Sequence, residues 1–257
     1  MKQTMSIDQV MSYLDRLRLS KAKELLAQTM TLAESQSFSY LNFLETLLSE
    51  EVAHKEQRRI EMSLKLSGLP YVRSLDEFDF THAPHLDQRL IHSLFDLTFI
   101  REKMNVLFLG PPGLGKTHLA ISLAVKACHE GFSICFTEMD TLIKKLKADA
   151  EDNRPRRGRS YNKSALVVID EVGYTPLDRH ECNLFFRFIK SRYEKGSTII
   201  TSNKSFSQWS ELSHDPVIIS AVLDRLLHHS VVINMQGSSY RLKDKKTIER
   251  KEVATSL

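Results

Sequence analysis

One eight-residue run restricts the fold of this chain more than any other feature of the sequence. It reads Gly110, Pro111, Pro112, Gly113, Leu114, Gly115, Lys116 and Thr117. The run fits the pattern G-x-x-x-x-G-K-[S/T], with an apolar strand at residues 106–109 before it and a helix-forming stretch at 118–129 after it. Glycines let the backbone curl so that successive N–H groups face a triphosphate, and the helix adds the positive end of its dipole. The run therefore predicts a phosphate-binding loop rather than an ordinary glycine turn.

The end of this phosphate loop (residues 110–117) carries side chains suited to a nucleoside triphosphate and its metal. Lys116 can reach the β- and γ-phosphates, and the Thr117 hydroxyl can hold Mg²⁺. His118 is the first residue after the loop and completes the expected nucleotide-binding segment.

The composition is compatible with one α/β domain and a smaller companion domain. Of the 257 residues, 42% are hydrophobic and 26% are charged, which suffices for a packed core. The net charge of +4 is compatible with nucleic-acid binding but does not by itself indicate it. The sequence shows no signal-peptide pattern and no apolar run near the roughly 18 residues of a membrane helix. We therefore expect a cytoplasmic protein with no membrane partner.

The cysteine and histidine patterns do not predict a metal site. Cys128, Cys135 and Cys182 lack the spacing of metal ligands, and they predict reduced thiols in the core. The ten histidines, which include the pair His228 and His229, form no H-E-x-x-H array. Surface or capping roles are expected for them.

The first 70 residues have the pattern of a small all-helical domain. In its longest predicted helix, the apolar residues that recur at the spacing of one helix face are Leu41, Leu44, Leu48 and Val52. Ser39 is the expected N-cap of this helix, and Gly68 with Pro70 ends it. Its second half carries basic residues, namely Lys55, Arg58, Arg59 and Lys65. These form either a solvated face that suits the helix dipole, or a surface for DNA phosphates or an acidic partner.

The rest of the chain alternates between helix and strand patterns, which predicts an α/β fold with a five-stranded parallel sheet. The strands are expected at residues 106–109, 133–137, 165–169, 197–201 and 231–234. The helices are expected at residues 86–103, 118–129, 140–150, 178–194 and 215–227. The predicted organisation is a helical domain at 1–70, a linker and leading helix at 71–104, a nucleotide-binding domain at 105–240 and a basic tail at 241–257. The ligand is expected at the carboxyl ends of the strands.

Two carboxylates, Asp170 and Glu171, follow the apolar strand at residues 165–169. At the carboxyl edge of the sheet, Asp170 is expected near the metal that Thr117 holds. Glu171 can then polarise a water for attack on the γ-phosphate. The pair favours hydrolysis over nucleotide binding alone, and the alternative is a strand that ends in a polar turn.

Two polar residues further along the chain are weaker candidates for the same chemistry. Asn203 follows the strand at 197–201, where its amide can orient the attacking water. Arg225 lies in a helical stretch beside Asp224, and it is either a surface residue paired with Asp224 or a finger that reaches a neighbouring subunit's nucleotide. Arg241 is a similar candidate.

A basic segment precedes the strand that ends in Asp170. Its predicted DNA-binding residues are Arg154, Arg156, Arg157, Arg159 and Lys163. They form either a solvated flexible loop or a contact to DNA phosphates, in which case Tyr161 can stack on a base.

Together the phosphate loop, the pair Asp170 and Glu171, Asn203 and Arg225 resemble the AAA+ ATPases. Residues 106–234 look like the clade of helicase loaders and initiators, and especially like the IstB-like family of ATP-dependent helpers of insertion-sequence transposition. Three segments carry the narrower resemblance, namely GYTPLD at 173–178, DRL at 224–226 and SYR at 239–241.

The resemblance implies a role for each of these residues. The phosphate loop would bind ATP, Asp170 would support Mg²⁺, and Glu171 would be the catalytic base. Asn203 would be the first sensor, and Arg225 the finger that acts across a subunit boundary. Arg241 would be the candidate sensor near the end of the chain.

The resemblance also implies partners. Family members assemble on double-stranded DNA when ATP is bound and engage a partner transposase, and the N-terminal domain would serve assembly or partner docking. About two dozen residues follow Asn234, so the expected domain lacks a full helical lid at its C-terminal end.

Three other functions stay open at the level of sequence. A replicative helicase loader would use the same ATPase machinery with a helicase as its partner. A small-molecule P-loop kinase would be a monomer with an acceptor pocket and no dependence on DNA. A nucleotide-gated binding module would have negligible turnover.

Overall fold

The computed structural model describes residues 6–151, 160–212, 215–237 and 239–240. The chain divides into two compact units, Met1–Met62 and Ser63–Leu257, and each has a hydrophobic core of its own. Within the described residues no helix combines the length and apolar character needed to cross a membrane.

The described residues form ten helices and five strands. The helices are α1 (Ile7–Arg16), α2 (Ser20–Gln36), α3 (Tyr40–Leu66), α4 (Gln88–Leu94), α5 (Thr98–Arg101), α6 (Lys116–His129), α7 (Met139–Glu151), α8 (Ser160–Lys163), α9 (Arg179–Arg192) and α10 (Pro216–His228). The strands are β1 (Asn105–Leu109), β2 (Ile134–Glu138), β3 (Leu166–Val172), β4 (Ser197–Ser202) and β5 (Ser230–Asn234). Single 3₁₀ segments occur at Phe80–His82 and Phe206–Leu212.

The first unit consists of α1, α2 and most of α3. Its small core contains Leu14, Ala22, Leu26 and Leu47. The backbone N–H groups of Lys21 and Ala22 donate to the buried carboxylate of Glu51 over 2.7 and 2.9 Å. Because Leu19 before α2 offers no side-chain cap, Glu51 of α3 takes that role at the start of α2.

The apolar face of α3 does not lie against this core. Leu41, Leu44, Leu48 and Val52 are 73%, 50%, 45% and 62% exposed, whereas Leu47 is 5% exposed. The helix therefore presents its four-residue apolar stripe (Leu41, Leu44, Leu48 and Val52) to solvent. Ser39 caps the helix as predicted, since its hydroxyl accepts from the Asn42 N–H over 3.1 Å.

The second unit is built on a five-stranded, fully parallel sheet in the order β2-β3-β4-β1-β5. Helices α4, α5 and α6 contribute to the core on one face, and α7, α9 and α10 contribute to the core on the other. This arrangement confirms the predicted α/β class and the five strands. It also brings the carboxyl ends of β1, β3 and β4 to one edge, next to the phosphate loop.

The prediction of one continuous helix at residues 86–103 is wrong, because the structure has two separate helices there, α4 and α5. Leu97 adopts a left-handed conformation with φ 57° between the two helices and is 1% exposed. Packing of Leu97 in the core therefore outweighs the helical periodicity of the sequence.

The expectation that Tyr161 can stack on a base is also wrong. Tyr161 is 5% exposed and packs in the core with its ring centroid 6.1 Å from that of Phe188. It belongs to α8, a short helix that the sequence does not predict, and Lys163 of the same helix is exposed. Arg154, Arg156, Arg157 and Arg159, Arg241, and the tail at 241–257 lie outside the described residues.

Arg192 fixes the segment that contains α8. Its guanidinium donates to the carbonyl oxygens of Tyr161, Ser164 and Ser197 over 3.2, 3.0 and 2.7 Å, and to the Thr198 hydroxyl over 3.3 Å. Burial lowers the pKa of Arg192 to about 10, so it remains charged at neutral pH. The three cysteines are buried, as predicted, and burial raises the pKa of the Cys128 thiol.

Candidate nucleotide-binding site

The phosphate loop connects the carboxyl end of β1 to the first turn of α6. Its first residue, Gly110, has φ 139°, and a Cβ there would lie 2.1 Å from the carbonyl oxygen of Met235. The Gly110 N–H donates to Ser202 O over 3.1 Å, and Gly113 O accepts from the Tyr240 N–H over 2.9 Å. Glycine is therefore required where the loop begins, because the chain after β5 crosses it closely.

The Lys116 side chain lies inside the curl of the loop. Its Nζ donates to the carbonyl oxygens of Gly110 and Pro111 over 2.6 and 2.7 Å, and the residue is 6% exposed. These contacts hold the ammonium at the N-terminal end of α6. A triphosphate bound in this loop would meet the ammonium, the loop N–H groups and the positive end of the helix dipole together.

A chain of hydrogen bonds joins the loop to the two central strands. The Thr117 hydroxyl donates to Asp170 Oδ1 over 3.0 Å. The Thr201 hydroxyl also donates to this oxygen, and its own oxygen accepts from the Glu171 N–H over 3.1 Å. Thr201 thus connects the predicted metal ligand with the backbone of the predicted catalytic base.

The sequence pattern did not indicate a role for Thr201. The signal that could have identified it is a hydroxyl at the carboxyl end of a buried strand, but that signal requires β4 to be the neighbour of β3. The register pairs Ile169 with Ile200, which places Thr201 beside Asp170. The sequence does not specify the order of the strands.

The backbone changes direction at Glu171. The pairing of β3 with β4 is irregular between Ile169 and Val172, and Glu171 has φ 60°. A non-glycine residue in the left-handed region is uncommon and is frequent at functional sites. The irregularity turns the exposed Glu171 side chain towards the same cavity that Lys116 and Thr117 line.

That cavity has a volume of about 540 Å³, within the range of small-molecule sites. Its walls include the phosphate loop, Glu171, Thr201 and Asn203. The described residues predicted for nucleotide binding and hydrolysis therefore meet in one place, except for Arg225.

The predicted linker forms the remaining wall of the cavity. Phe78 approaches Gly115 so closely that a Cβ at Gly115 would lie 2.5 Å from the Phe78 ring, and the ring centroids of Phe78 and His118 are 5.4 Å apart. His118 Nε2 lies 3.0 Å from Ser74 O. His82 packs edge-on against Tyr240, with ring centroids 5.0 Å apart. The sequence pattern gave Phe78 and His82 no functional role, because residues 71–83 show no helix or strand periodicity.

The donors around Thr117 fit a magnesium ion. The Thr117 hydroxyl and the Asp170 carboxylate are oxygen donors that already lie within 3.0 Å of each other. Mg²⁺ is bound in this way, through one or two protein oxygens together with substrate phosphates. These two residues are the ones that would hold it.

Arg225 lies away from this cavity. Arg225 is near the C-terminal end of α10, which leads into the amino end of β5. The phosphate loop follows the carboxyl end of the neighbouring parallel strand β1, so the two lie at opposite edges of the sheet. The Arg225 guanidinium lies 4.9 Å from the centroid of Phe186 and donates to Ala221 O over 2.8 Å. Lys163 also precedes an amino end, that of β3. Neither side chain is brought to the nucleotide cavity of its own chain.

Comparison with known proteins agrees with this geometry. Residues 12–248 match the model of a family described as IstB-like ATP binding protein. A relative from Geobacillus stearothermophilus, described as the ATP-binding protein of insertion sequence IS5376, is 42% identical over 246 residues, or 95% of this chain and 98% of the relative. The corresponding protein of insertion sequence IS21 from Pseudomonas aeruginosa is 42% identical over 234 residues, or 91% of this chain and 88% of the relative.

Solved structures share the fold. DnaI has a TM-score of 0.52 and 23% identity, with 65% of this chain and 89% of that chain covered. AMPPCP-bound DnaA from Aquifex aeolicus has a TM-score of 0.52 and 16% identity, with 69% of this chain and 55% of that chain covered. At these identities the likeness concerns the fold alone, and it agrees with the predicted α/β fold with a five-stranded parallel sheet.

Proposed function

This chain belongs to the IstB-like ATP-binding protein family, and on that premise we propose that it is an ATPase that assembles on double-stranded DNA and assists a transposase. The relatives at 42% identity are named for insertion sequences, which supports a role in transposition. The observation that carries the proposal is the hydrogen-bond chain from Thr117 through Asp170 and Thr201 to Glu171, because it joins a triphosphate-binding loop to a candidate general base.

We assign the steps of hydrolysis to residues around the cavity. The loop N–H groups and Lys116 bind the phosphates. Thr117 and Asp170 would hold Mg²⁺, which would supply positive charge opposite the negative charge that develops on the phosphoryl group. Glu171 accepts a proton from the attacking water as general base. Asn203, in the same cavity, orients that water.

The position of Arg225 supports the proposal of assembly. Arg225 lies near the end of α10 that leads into the amino end of β5, opposite the phosphate loop of the same chain, and we propose that it acts on the nucleotide of a neighbouring copy. An arginine supplied from a neighbour stabilises transition-state charge and makes hydrolysis depend on assembly.

The apolar stripe of α3 supports the proposal that the N-terminal unit serves assembly. Leu41, Leu44, Leu48 and Val52 lie three or four residues apart and are all at least 45% exposed, which is unusual for a helix of a soluble monomer. Glu45 and Glu50 lie in the first half of the helix, and Lys55, Arg58 and Arg59 lie in the second half together with Glu56 and Glu61. Two antiparallel copies of α3 would bury the stripe.

For DNA, we propose that Arg154, Arg156, Arg157, Arg159 and Lys163 contact phosphates. The first four lie outside the described residues, and Lys163 is exposed on α8. Arginines contact the phosphate backbone without regard to sequence, and each such contact makes binding more sensitive to salt. Replacement of the four arginines by alanine should weaken duplex binding and flatten its salt dependence, and unchanged binding would exclude this segment as the DNA contact.

The experiment that tests the proposed function is a measurement of particle mass with and without duplex DNA, in ATP and in ADP. We expect a large particle only with both ATP and DNA. The matched variants are Leu44→Glu, which should prevent assembly, and Leu47→Ala, which weakens the core of the N-terminal unit without placing a charge on the stripe.

A protein that stays monomeric in all four conditions would contradict the proposal and favour a small-molecule kinase. Assembly with a partner helicase and not with a transposase would favour a helicase loader. A particle that forms with ATP and DNA but never turns over ATP would favour the nucleotide-gated binding module.

A further inference from the structure

We propose that Glu194, His228 and His229 form a binding site for a divalent transition-metal ion of the Zn²⁺ type. Each residue offers one ligand atom, and the three atoms lie within 4.8 Å of one another. The site is separate from the nucleotide cavity, because it lies at the amino edge of the sheet, whereas the phosphate loop lies at the carboxyl edge.

The fold brings the three residues together from two connections. Glu194 follows the end of α9 and precedes β4, and its backbone has φ 58°. His228 is the last residue of α10, and His229 connects α10 to β5. Strands β4 and β5 lie on either side of β1. Glu194, which precedes β4, and the two histidines, which precede β5, therefore lie at the same corner of the amino edge of the sheet.

The donor set selects the kind of metal. Two imidazoles and one carboxylate are ligands of zinc in proteins, with Zn–N and Zn–O bonds of about 2.0–2.2 Å. Ligand atoms up to 4.8 Å apart therefore need to move inward by about an ångström, which exposed side chains can do by rotation about χ angles. Mg²⁺ prefers oxygen donors such as those of Thr117 and Asp170, so the two sites differ in the metal they favour.

The neighbouring residues orient the imidazoles. The Tyr193 hydroxyl lies 2.9 Å from His228 Nδ1, and when it accepts the Nδ1–H bond the lone pair on Nε2 is available for a metal. Such a partner on the second ring nitrogen fixes the orientation of a ligating histidine. His229 Nε2 lies 4.0 Å from Glu194 Oε1, and the two imidazole rings have centroids 4.2 Å apart.

The electrostatic surroundings contain charges of both signs. The C-terminal ends of α9 and α10, which carry the negative ends of their dipoles, both point to this corner and favour a cation, as does Glu194. Lys103, Arg192 and Arg225 line the adjoining cavity. Arg192 is already surrounded by carbonyl and hydroxyl oxygens, and Arg225 lies over Phe186, so these two charges are partly compensated where they stand.

The location of the site has a consequence for α10. His228 and His229 lie three and four residues after Arg225, as the last residue of the helix and its C-cap. A bound ion would tie this turn to Glu194 and hold the segment that presents Arg225. This consequence rests on the proposed function, whereas the binding of the ion does not.

The test is a titration of untagged, EDTA-treated, full-length protein with Zn²⁺ by calorimetry, in buffer that contains excess Mg²⁺. We expect one equivalent to bind. The affinity should fall by more than about 100-fold in the His228→Ala/His229→Ala variant, and Tyr193→Phe should weaken it by roughly tenfold, since a second-shell partner typically contributes 10- to 100-fold. Glu194→Gln should also weaken binding. Substitution with Co²⁺ should give visible absorption bands that disappear in the double histidine variant.

Two controls separate this site from others. His180→Ala removes an exposed histidine of α9 and should leave Zn²⁺ binding unchanged. Lys116→Ala disables the phosphate loop and should also leave it unchanged, so failure of the proposed ATPase function would not affect the result. Absence of Zn²⁺ binding to the wild-type protein would overturn the proposal. So would unchanged binding in the double histidine variant, because the ion would then lie elsewhere, for example at the cysteines.

Discussion

The Thr117 hydroxyl donates a hydrogen bond of 3.0 Å to Oδ1 of Asp170, although 53 positions separate the two residues in the chain. One residue lies in the first turn of α6 and the other on β3, and the bond holds the phosphate loop against the strand that leads to Glu171. The same two oxygens are the proposed Mg²⁺ ligands. The pair therefore places the two proposed oxygen donors for Mg²⁺ next to each other.

Lys116→Ala should abolish ATP binding. The substitution removes the ammonium that Gly110 and Pro111 hold inside the loop, and no other side chain of the loop is cationic. Binding of a fluorescent ATP analogue measures the effect. Lys126→Ala is the matched control, because Lys126 lies on the same helix and pairs with Glu130 at the surface. Binding retained by Lys116→Ala would contradict the assignment of the loop.

Glu171→Gln should bind ATP normally but hydrolyse it about 100- to 10,000-fold more slowly, the usual contribution of a general base. The amide keeps the size of the side chain but cannot accept the proton from water. We expect the variant to remain longer on DNA. Phosphate release measures turnover, and Glu138→Gln makes the same change in an exposed residue that pairs with Asp170 in the sheet. Normal turnover by Glu171→Gln would show that another group is the base.

Thr201→Val should lower turnover by roughly tenfold while ATP still binds. Loss of the hydroxyl removes the bond to Asp170 and leaves the Glu171 N–H without its partner, at a cost of about 1–3 kcal/mol. Thr201→Ser keeps the hydroxyl and should restore most of the activity. If Thr201→Val and Thr201→Ser have the same turnover, Thr201 acts through packing and does not position the catalytic residues.

Subunits with Arg225→Ala should lose turnover and recover part of it when mixed with Glu171→Gln subunits. In such a mixture a Glu171-containing site can receive the arginine of a Glu171→Gln neighbour. The ATPase rate as a function of the mixing ratio measures the recovery. Strict absence of recovery at every ratio would leave Arg225 as a residue that only packs on Phe186.

Arg192→Leu should destabilise the second unit by about 3 kcal/mol, because three buried carbonyl oxygens lose their donor. Urea unfolding followed by circular dichroism measures the change. Arg187→Leu on the same helix is the control, since Arg187 is exposed and should change stability by less than about 0.5 kcal/mol. Equal effects of the two substitutions would contradict the anchoring role of Arg192.

Local patterns predicted the strands well, since β1, β2, β4 and β5 begin and end within one residue of their expected positions. They were less reliable where packing decides the backbone. Leu97 breaks a helix that the sequence continues, and Tyr161 turns into the core from a segment that the sequence treats as a loop. In both cases the burial of a large side chain overrides the local preference.

The stripe on α3 shows the limit of periodicity. The spacing of Leu41, Leu44, Leu48 and Val52 correctly indicates one helix face, but it carries no information on what that face packs against. The core of the first unit instead uses Leu47, whose neighbour on the same face is the charged residue Glu51. A buried carboxylate is unexpected from sequence, because its partners are backbone N–H groups of another helix.

The sequence by itself predicted the nucleotide chemistry proposed for this protein, because the phosphate loop and the pair Asp170 and Glu171 are contiguous motifs whose spacing encodes their geometry. Only the tertiary structure decided the surroundings of that chemistry. The order of the strands brought Thr201 to Asp170, the wall around Phe78 closed the cavity, and the opposite edges of the sheet separated Arg225 from its own phosphate loop. These relationships depend on which elements become neighbours. That is set by packing of side chains distant in sequence, and no local pattern records it.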